Sequence, residues 1–438
     1  MEYLKRATGS AHLAEEDQRV GETVASIIAD VRDRGDEAVR EYSARFDGWD
    51  RDSFRLSPDE VGNQVDRVAP DVLADIEWVQ GQVREFALKQ RACLLDLEVE
   101  TMPGVFLGHR HLPVEASGAY VPGGRYPLVA SAHMTIVTAK AAGVDRVAAC
   151  TPPIRGSIPE VTIAAMHLAG ADEIYVMGGV QAIAALAIGT QTIDPVDLLA
   201  GPGNAYVAEA KRQLAGSVGI DLIAGPTEIL VVADDLADPL TVAVDLLSQA
   251  EHGPDSPAVL ITTSRALAVE VMGLVDALLP TMPTRDYAEP AWRHYGQVIV
   301  VSSLVEAYAV ANSFASEHVE ILTRNPRDAL DHMRHYGALF LGEGTCVSYG
   351  DKVIGTNHVL PTRGAARHTG GLWVGKFLRT VTYQEVTNLS SSADLGLRCG
   401  RASRVETFEG HARSGDIRAM RLDGGVPEWL ASSGAWAP

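Results

Sequence analysis

Gln249 and His252 stand three residues apart in Ser-Gln-Ala-Glu-His-Gly-Pro-Asp, residues 248–255. On a helix that spacing puts an amide oxygen and an imidazole nitrogen on one face, able to converge on one point. The plainer alternative is a polar last turn closed by its Gly-Pro stop. Glu317 adjoins His318 ahead of a β-branched run, an acid–base pair if it sits on a connecting loop, as the pattern predicts. Asp351 and His358 fall in the Gly-punctuated segment SYGDKVIGTNHVLPT, as a ligand and a substrate contact or merely as turn formers. Glu406 and His411 share one predicted helical stretch, VETFEGHARSGDIR, where such a pair commonly faces solvent. Each signal alone is weak.

Glycine-rich strand ends add a second kind of chemistry. MGGVQAIAALAIGT carries Gly178, Gly179 and Gln181, and AGPGNAYVAEAKR carries Gly201, Gly203 and Asn204. Both place glycine before a helix, where backbone N–H groups and the helix dipole attract phosphate. Neither completes the G-x-G-x-x-G fingerprint, and a tight βα turn explains either one singly. With YVPGG at Tyr120–Gly124 as a third such turn, a bound ligand becomes the better account.

These residues need a scaffold, and the chain provides one of α/β type. At 438 residues it is too long for one ordinary core. Residues from about 22 to 90 have helical periodicity. From about 114, short β-rich runs alternate with Ala-rich helices, and a second alternating block runs from EILVVADD to ALFLGEG. Beyond Thr380 the pattern is helical. The formal net charge of −20 disfavours nucleic acid and anionic membrane surfaces as partners. Four scattered cysteines, Cys93, Cys150, Cys346 and Cys399, fit a reducing compartment. With no apolar leader or spanning run, the expected location is cytoplasmic.

Taken in order, YVPGG, GGVQAIAALAIGT, GPGNAYVAEAKRQ, AGPTEILVVAD, DLLSQAEHGPDS, SEHVEIL, GDKVIGTNHVLPT and ETFEGHARS resemble the histidinol dehydrogenase family, block by block, over residues of about 20 to 425. The resemblance implies two incomplete Rossmann-like parallel-sheet domains with helical N-terminal and C-terminal segments. Residues 1–113 and 235–379 would form a discontinuous domain carrying the zinc and catalytic residues, 114–234 an NAD-binding domain, and 380–438 a helical segment reaching the partner subunit of a homodimer. It further implies one zinc ion held by Gln249, His252, Asp351 and His411, an oxygen and imidazole set without thiolate that suits a site with room for substrate. Glu317 would be the base and His318 the proton shuttle. Glu406 and His358 would contact substrate, and Tyr120, Gln181 and Asn204 would hold NAD. The implied reaction takes a primary alcohol through a bound aldehyde to a carboxylate.

Departures from the family pattern bear on substrate. Arg363, Arg367 and Lys376 follow NHVLPT, Arg125 and His133 lie in GGRYPLVASAHM, and Thr227 replaces a usual Ser. Guanidinium groups near the pocket favour an anionic head over cationic histidinol. That pattern resembles the sulfopropanediol 3-dehydrogenase branch, which oxidises 2,3-dihydroxypropane-1-sulfonate to sulfolactate. A solvated basic surface or pyrophosphate binding is the plainer account of the same residues. Retained Glu406 and His358 favour histidinol dehydrogenase proper, and a non-catalytic nucleotide- or metal-binding relative is a third reading.

Overall fold

The computed structural model describes residues 1–8, 13–123 and 127–434. The chain divides into two compact units, residues 1–91 with 113–377, and residues 92–112 with 378–438.

The first unit contains two largely parallel sheets. One is formed by β4 (Ala116–Tyr120), β5 (Arg146–Thr151), β6 (Glu173–Val176), β7 (Leu198–Ala200) and β8 (Gly219–Ile220), in the order β6-β5-β4-β7-β8. The other joins β9 (Ile229–Ala233), β10 (Ala258–Thr262), β11 (Gln297–Val300), β12 (His318–Leu322) and β13 (Ala338–Leu341), in the order β11-β10-β9-β12-β13. Each begins at a middle strand, grows outward on one side and then switches to the other, as in a doubly wound fold. A short strand β1 (Glu2–Lys5) closes the second sheet by pairing antiparallel with β11. Strands such as Ile-Leu-Val-Val-Ala (β9) and Ala-Val-Leu-Ile-Thr (β10) are buried at every residue, which a parallel sheet covered on both faces requires.

The α/β class and the two incomplete doubly wound sheets agree with the sequence reading, but the expected partition does not. The helices Leu13–Arg34 and Asp36–Asp47 bury Val24, Ile27, Ile28, Val31, Ala38 and Val39 in one core with Ile183, Leu186 and Leu199. The N-terminal helices therefore belong with the sheet of residues 114–234, and of residues 1–113 only β1 joins the second sheet. Periodicity shows that a helix has an apolar face but not which sheet will cover it.

The second unit contains a three-stranded sheet, β14-β3-β2, of β2 (Leu97–Met102), β3 (Val105–Pro113) and β14 (Leu378–Val386). Its remaining elements are the helices Leu389–Val405 and Glu409–Asp423 with a short helix Glu428–Ala431. The segment past Thr380, expected to be helical, thus opens as a strand. The two long helices touch backbone to backbone: a Cβ on Gly396 would lie 2.4 Å from the Gly415 carbonyl oxygen, and one on Gly415 2.5 Å from that of Gly396. Only glycine allows that approach.

Candidate active site

The acid–base residues gather at the amino edge of the second sheet, not at the carboxyl edge where open α/β sheets commonly bind ligands. His318 begins β12, and Glu317 precedes it; they are 2% and 6% exposed. The loop placement expected for this pair is therefore corrected, because β12 begins one residue earlier than its β-branched run suggests and takes His318 into the sheet. Thr227 and Glu228 sit beside them at the foot of β9. The helix Pro239–Ala250, capped by the Asp238 carboxylate on the Thr241 amide, runs back antiparallel to β9. Its C-terminal turn, with Gln249 and then His252, thereby returns to the same edge.

Hydrogen bonds fix this cluster. Glu317 Oε2 accepts from Thr227 Oγ1 at 2.6 Å and from the Glu228 amide at 3.1 Å. The Glu317 amide in turn donates to Glu228 Oε1 at 3.2 Å. His318 Nδ1 lies 3.2 Å from the Glu228 carbonyl and 3.4 Å from Glu317 Oε2, both acceptors, so Nδ1 carries a proton. Nε2 has no hydrogen-bond partner and sits 3.6 Å from Asp351 Oδ1. Burial alone would lower the His318 imidazole, but the Glu317 and Asp351 carboxylates outweigh it and raise the pKa to about 10. Burial would likewise raise Asp351, yet His318, His358 and Lys352 hold it down at about 2. His358 Nδ1 is 2.9 Å from the Asp351 carbonyl, and burial lowers this imidazole.

The donor set suits a divalent cation. Thr227 has one hydroxyl proton, which the short bond to Glu317 claims; Gln249 Oε1, 3.4 Å from the same hydroxyl, is left without a good donor although the residue is 1% exposed. A buried carbonyl oxygen in that state calls for a cation. Surrounding protein lowers the His252 imidazole, while Asp351 acts in the opposite sense, so the two are close neighbours. Neutral imidazole, amide oxygen and carboxylate are the forms in which these groups bind zinc. Among the described residues no three His, Cys, Asp or Glu side chains converge on one metal position. The fourth implied ligand, His411, lies in the second unit, in the first turn of Glu409–Asp423. Glu406 caps the preceding helix, and Thr407, at φ 62°, breaks the chain between them, so the single helical stretch expected for this pair is in fact a corner between two helices. Both side chains are exposed within the chain.

The residues implied for NAD lie at the carboxyl edge of the first sheet. Tyr120 Oη accepts from the Gly179 amide at 3.2 Å, and Gln181 Nε2 donates to Asp47 at 3.2 Å while its Oε1 stays buried without a partner. Asn204 caps the helix Ala205–Leu214 by accepting from the Tyr206 and Val207 amides. Gly201, at φ 120°, passes so close to the Tyr120 carbonyl that a Cβ would fall 2.0 Å from it. Glycine-rich turns after β4, β6 and β7 thus lie along one edge of the sheet, with the end of β5 between two of them.

Of the basic candidates, Arg125 falls outside the described residues. Arg363 lies against Gly225, its Nε 2.6 Å from where a Cβ would be, and no carboxylate pairs with it among the described residues. Its backbone amide lies near enough to Glu228 to help hold that carboxyl down. Arg367 is turned to the Ser313 carbonyl. Lys376 is half-buried in the turn Val374–Phe377. Among the described candidates, Arg363 alone is thus placed beside this cluster.

Several functional groups escaped the sequence reading. Burial, reinforced by Glu317, pushes Glu228 up to about 7. Glu320, on the same face of β12 as His318, is fully buried beside the half-buried Asp245; burial and the Asp245 charge push Glu320 up to about 8, while burial raises Asp245 against the opposing hydrogen bond with Glu320. A glutamate inside the run His-Val-Glu-Ile-Leu was the available signal. Asp47, which accepts from Gln181, and Gln80, whose Nε2 lies 3.1 Å from His133 Nδ1, gave none.

Comparison with known proteins agrees with this geometry. The model of the histidinol dehydrogenase family matches residues 11–419. A histidinol dehydrogenase homolog of Shouchella clausii is 56% identical over 420 residues, covering 96% of this chain and 99% of that protein. The sulfopropanediol 3-dehydrogenase of Ruegeria pomeroyi is 45% identical over 424 residues, 96% of this chain and 97% of that protein. The crystal structure of histidinol dehydrogenase from Elizabethkingia anophelis superposes with a TM-score of 0.87 at 31% identity, covering 95% of this chain and 98% of that one. The chain belongs to the histidinol dehydrogenase family, oxidoreductases that use NAD to carry a CH–OH group through a four-electron oxidation to the acid.

Proposed function

We propose that the protein is an NAD- and zinc-dependent dehydrogenase that oxidises the primary alcohol of an anionic diol, 2,3-dihydroxypropane-1-sulfonate, through a bound aldehyde to sulfolactate. The observation that carries the substrate is Arg363: a guanidinium without a carboxylate partner among the described residues, laid against Gly225 next to the Thr227–Glu228–Glu317 cluster. A sulfonate oxygen would meet it in a charge-assisted hydrogen bond, whereas the ammonium of histidinol would be repelled. The relative named sulfopropanediol 3-dehydrogenase supports the same reading. Arg125, Arg367 and Lys376 are the other cations proposed for the substrate head.

The chain's own residues divide the work. His318, with Nδ1–H held by the Glu228 carbonyl, would present Nε2 as the atom that takes the carbinol proton once a cation on Asp351 offsets the carboxylate that otherwise keeps the imidazole protonated. Glu317, its Oε2 engaged by Thr227 and Glu228, keeps Oε1 to deprotonate the water that adds to the aldehyde. Gln249, His252, Asp351 and His411 would hold zinc, which supplies an anchor for substrate and a positive charge that offsets Asp351. Tyr120, Gln181 and Asn204 would hold NAD, the hydride acceptor of both oxidations. His358 and Glu406 orient the substrate. Because His411 and Glu406 lie in the second unit, we assign them to the partner's site in a homodimer. Exposed Val405, Phe408, Leu389, Leu397 and Leu422 in that unit are the apolar surface such a dimer would cover. No helix among the described residues is long and apolar enough to cross a membrane, and we place the enzyme in the cytoplasm.

Retention of His358 beside Asp351 and of Glu406 favours histidinol as the second candidate. NADH formation measured with both alcohols on one preparation decides between them. The sulfonate should be preferred and give two NADH per molecule. Turnover of histidinol with no response to the sulfonate would overturn the substrate assignment.

A further inference from the structure

Residues 130–142 form one helical rod whose middle, His133–Val137, is a π-helix between the α-helical pieces Ala130–Ala132 and Thr138–Ala142. Such a bulge re-aims side chains and is frequent at functional sites. The residue at its start, His133, is 4% exposed and has neighbours Ala132, Met134 and Ile136 that are completely buried. An imidazole is costly in such surroundings unless its polar atoms have partners.

One partner fixes the state of the ring. Gln80 Nε2, on the buried face of the helix Pro70–Ala92, lies 2.8 Å from the Ala165 carbonyl and 3.1 Å from His133 Nδ1. A carbonyl only accepts, so the Gln80 atom facing it is the amide nitrogen, whose second hydrogen points at Nδ1. Nδ1 therefore accepts, and in the neutral ring the proton sits on Nε2. Burial, helped by the nearby His358, holds the imidazole down at about 4, so the ring is neutral throughout the ordinary working range. Nε2–H has no acceptor among the described residues.

The rod also faces the substrate segment. Asn357 Nδ2 donates to the Met134 carbonyl at 2.9 Å and to Thr138 Oγ1 at 3.3 Å. This ties the residue before His358 to the residue after His133, and His358 is close enough for its charge to act on His133. A donor with a fixed tautomer, no acceptor among the described residues and a neighbour assigned to the substrate is arranged to meet an acceptor on the substrate.

We propose that His133 is a specificity residue that donates its Nε2–H to an oxygen of the substrate's acidic head, and that Gln80 is a positioning residue that holds the donor tautomer. The inference rests on the anionic-diol reading above and deepens it. An acidic head offers acceptors, whereas an ammonium head offers donors only, so a ring that can only donate at Nε2 distinguishes the two without carrying charge.

The test compares wild type, His133→Leu, His133→Gln and Gln80→Leu on the sulfonate and on 1,2-propanediol, the uncharged diol lacking that head. A lost hydrogen bond to a charged group lowers kcat/KM by about 10- to 150-fold. His133→Leu should show that loss on the sulfonate, mainly in KM, and change turnover of 1,2-propanediol by less than about threefold. His133→Gln, which keeps a donor, should recover part of the loss. Imidazole ¹⁵N spectra, with the His133 signal assigned by its absence in His133→Leu, should show the Nε2–H form in wild type and a tautomer mixture in Gln80→Leu. Equal losses on both diols, or an unchanged Gln80→Leu spectrum, would overturn the inference while leaving the substrate assignment intact. If wild type rejects the sulfonate, the substrate assignment falls first, and a His133→Leu effect below about threefold on the alcohol that is oxidised removes this inference too.

Discussion

The two units of the chain keep their polar and apolar groups in opposite places. In the first, the strands of both sheets are apolar and buried, and the groups suited to chemistry lie inside: Gln249, His318 and Glu317 are 1%, 2% and 6% exposed. In the second, the buried apolar side chains among the described residues are Val105, Ala393, Ala412 and Ala419, while Val405 and Phe408 are 84% and 56% exposed. Glu406 and His411 are exposed with them. The first unit can stabilise itself and pre-organise its polar groups with its own core. The second is held by close helix contact and by ion pairs from Arg404 to Glu409 and Asp416, and presents its apolar groups outward as a surface to be covered.

This contrast can be broken or sharpened by experiment. The largest effect belongs to the interior site: Glu317→Gln should lower acid formation by ~10²–10⁴-fold and let aldehyde accumulate, since water activation is needed only at the second oxidation. An equal loss on the alcohol and on added aldehyde would defeat that division. Next is the exposed pair. If His411 completes the partner's site, mixing subunits of Glu317→Gln and His411→Ala, each deficient in acid formation, should restore about a quarter of wild-type acid formation, because half of the dimers are mixed and each of these has one intact site. No recovery would place His411 in its own chain's site. Metal analysis of His411→Ala and His252→Ala should find the zinc lost from both.

Smaller effects test stability. Ile183→Ala, in the first core, should cost ~2–5 kcal/mol in denaturant melts. Glu228→Gln should change how stability depends on pH. Glu228 is raised from 4.5 to about 7 by burial and by Glu317, so the folded state favours its protonated form. That contribution is fully present below the unfolded value and is lost as pH rises through about 7. The variant should therefore lose less Tm than wild type between pH 5 and pH 8, and parallel pH profiles would contradict it. The smallest effect on folding should come from Val405→Ser, within ~0.5 kcal/mol for the single chain, accompanied by weaker self-association in sedimentation runs at falling concentration.

What the sequence revealed follows the same division. Strands β9 to β13 were legible because EILVVADD, AVLITTS, QVIVVSS, VEILTRN and ALFLGEG are short β-branched runs between turns. Strands β2 and β3 were not, because residues such as Glu98, Glu100 and His109 interrupt the apolar pattern in a sheet that is largely exposed. Motif spacing offered Gln249, His252, Glu317, His318 and Asp351 only as weak candidates, which the family resemblance joined into one site and the first unit draws toward one sheet edge. It could not find Glu228 or Gln80, whose roles arise from residues far away in sequence, Glu317 in one case and Ala165 with His133 in the other. Nor could it tell which sheet would receive the N-terminal helices, since an apolar stripe fits either.

The mutual contact of Gly396 and Gly415 has a kinetic consequence for assembly. Two helices joined at that distance form a stiff hairpin whose shape is set within one chain, so association does not have to wait for the arm to fold. Subunits meeting in solution would then dock as preformed bodies, at rates governed by orientation and concentration rather than by coupled ordering. A bulky residue at either glycine would pry the helices apart, and the chain would meet its partner with an arm that still had to find its form.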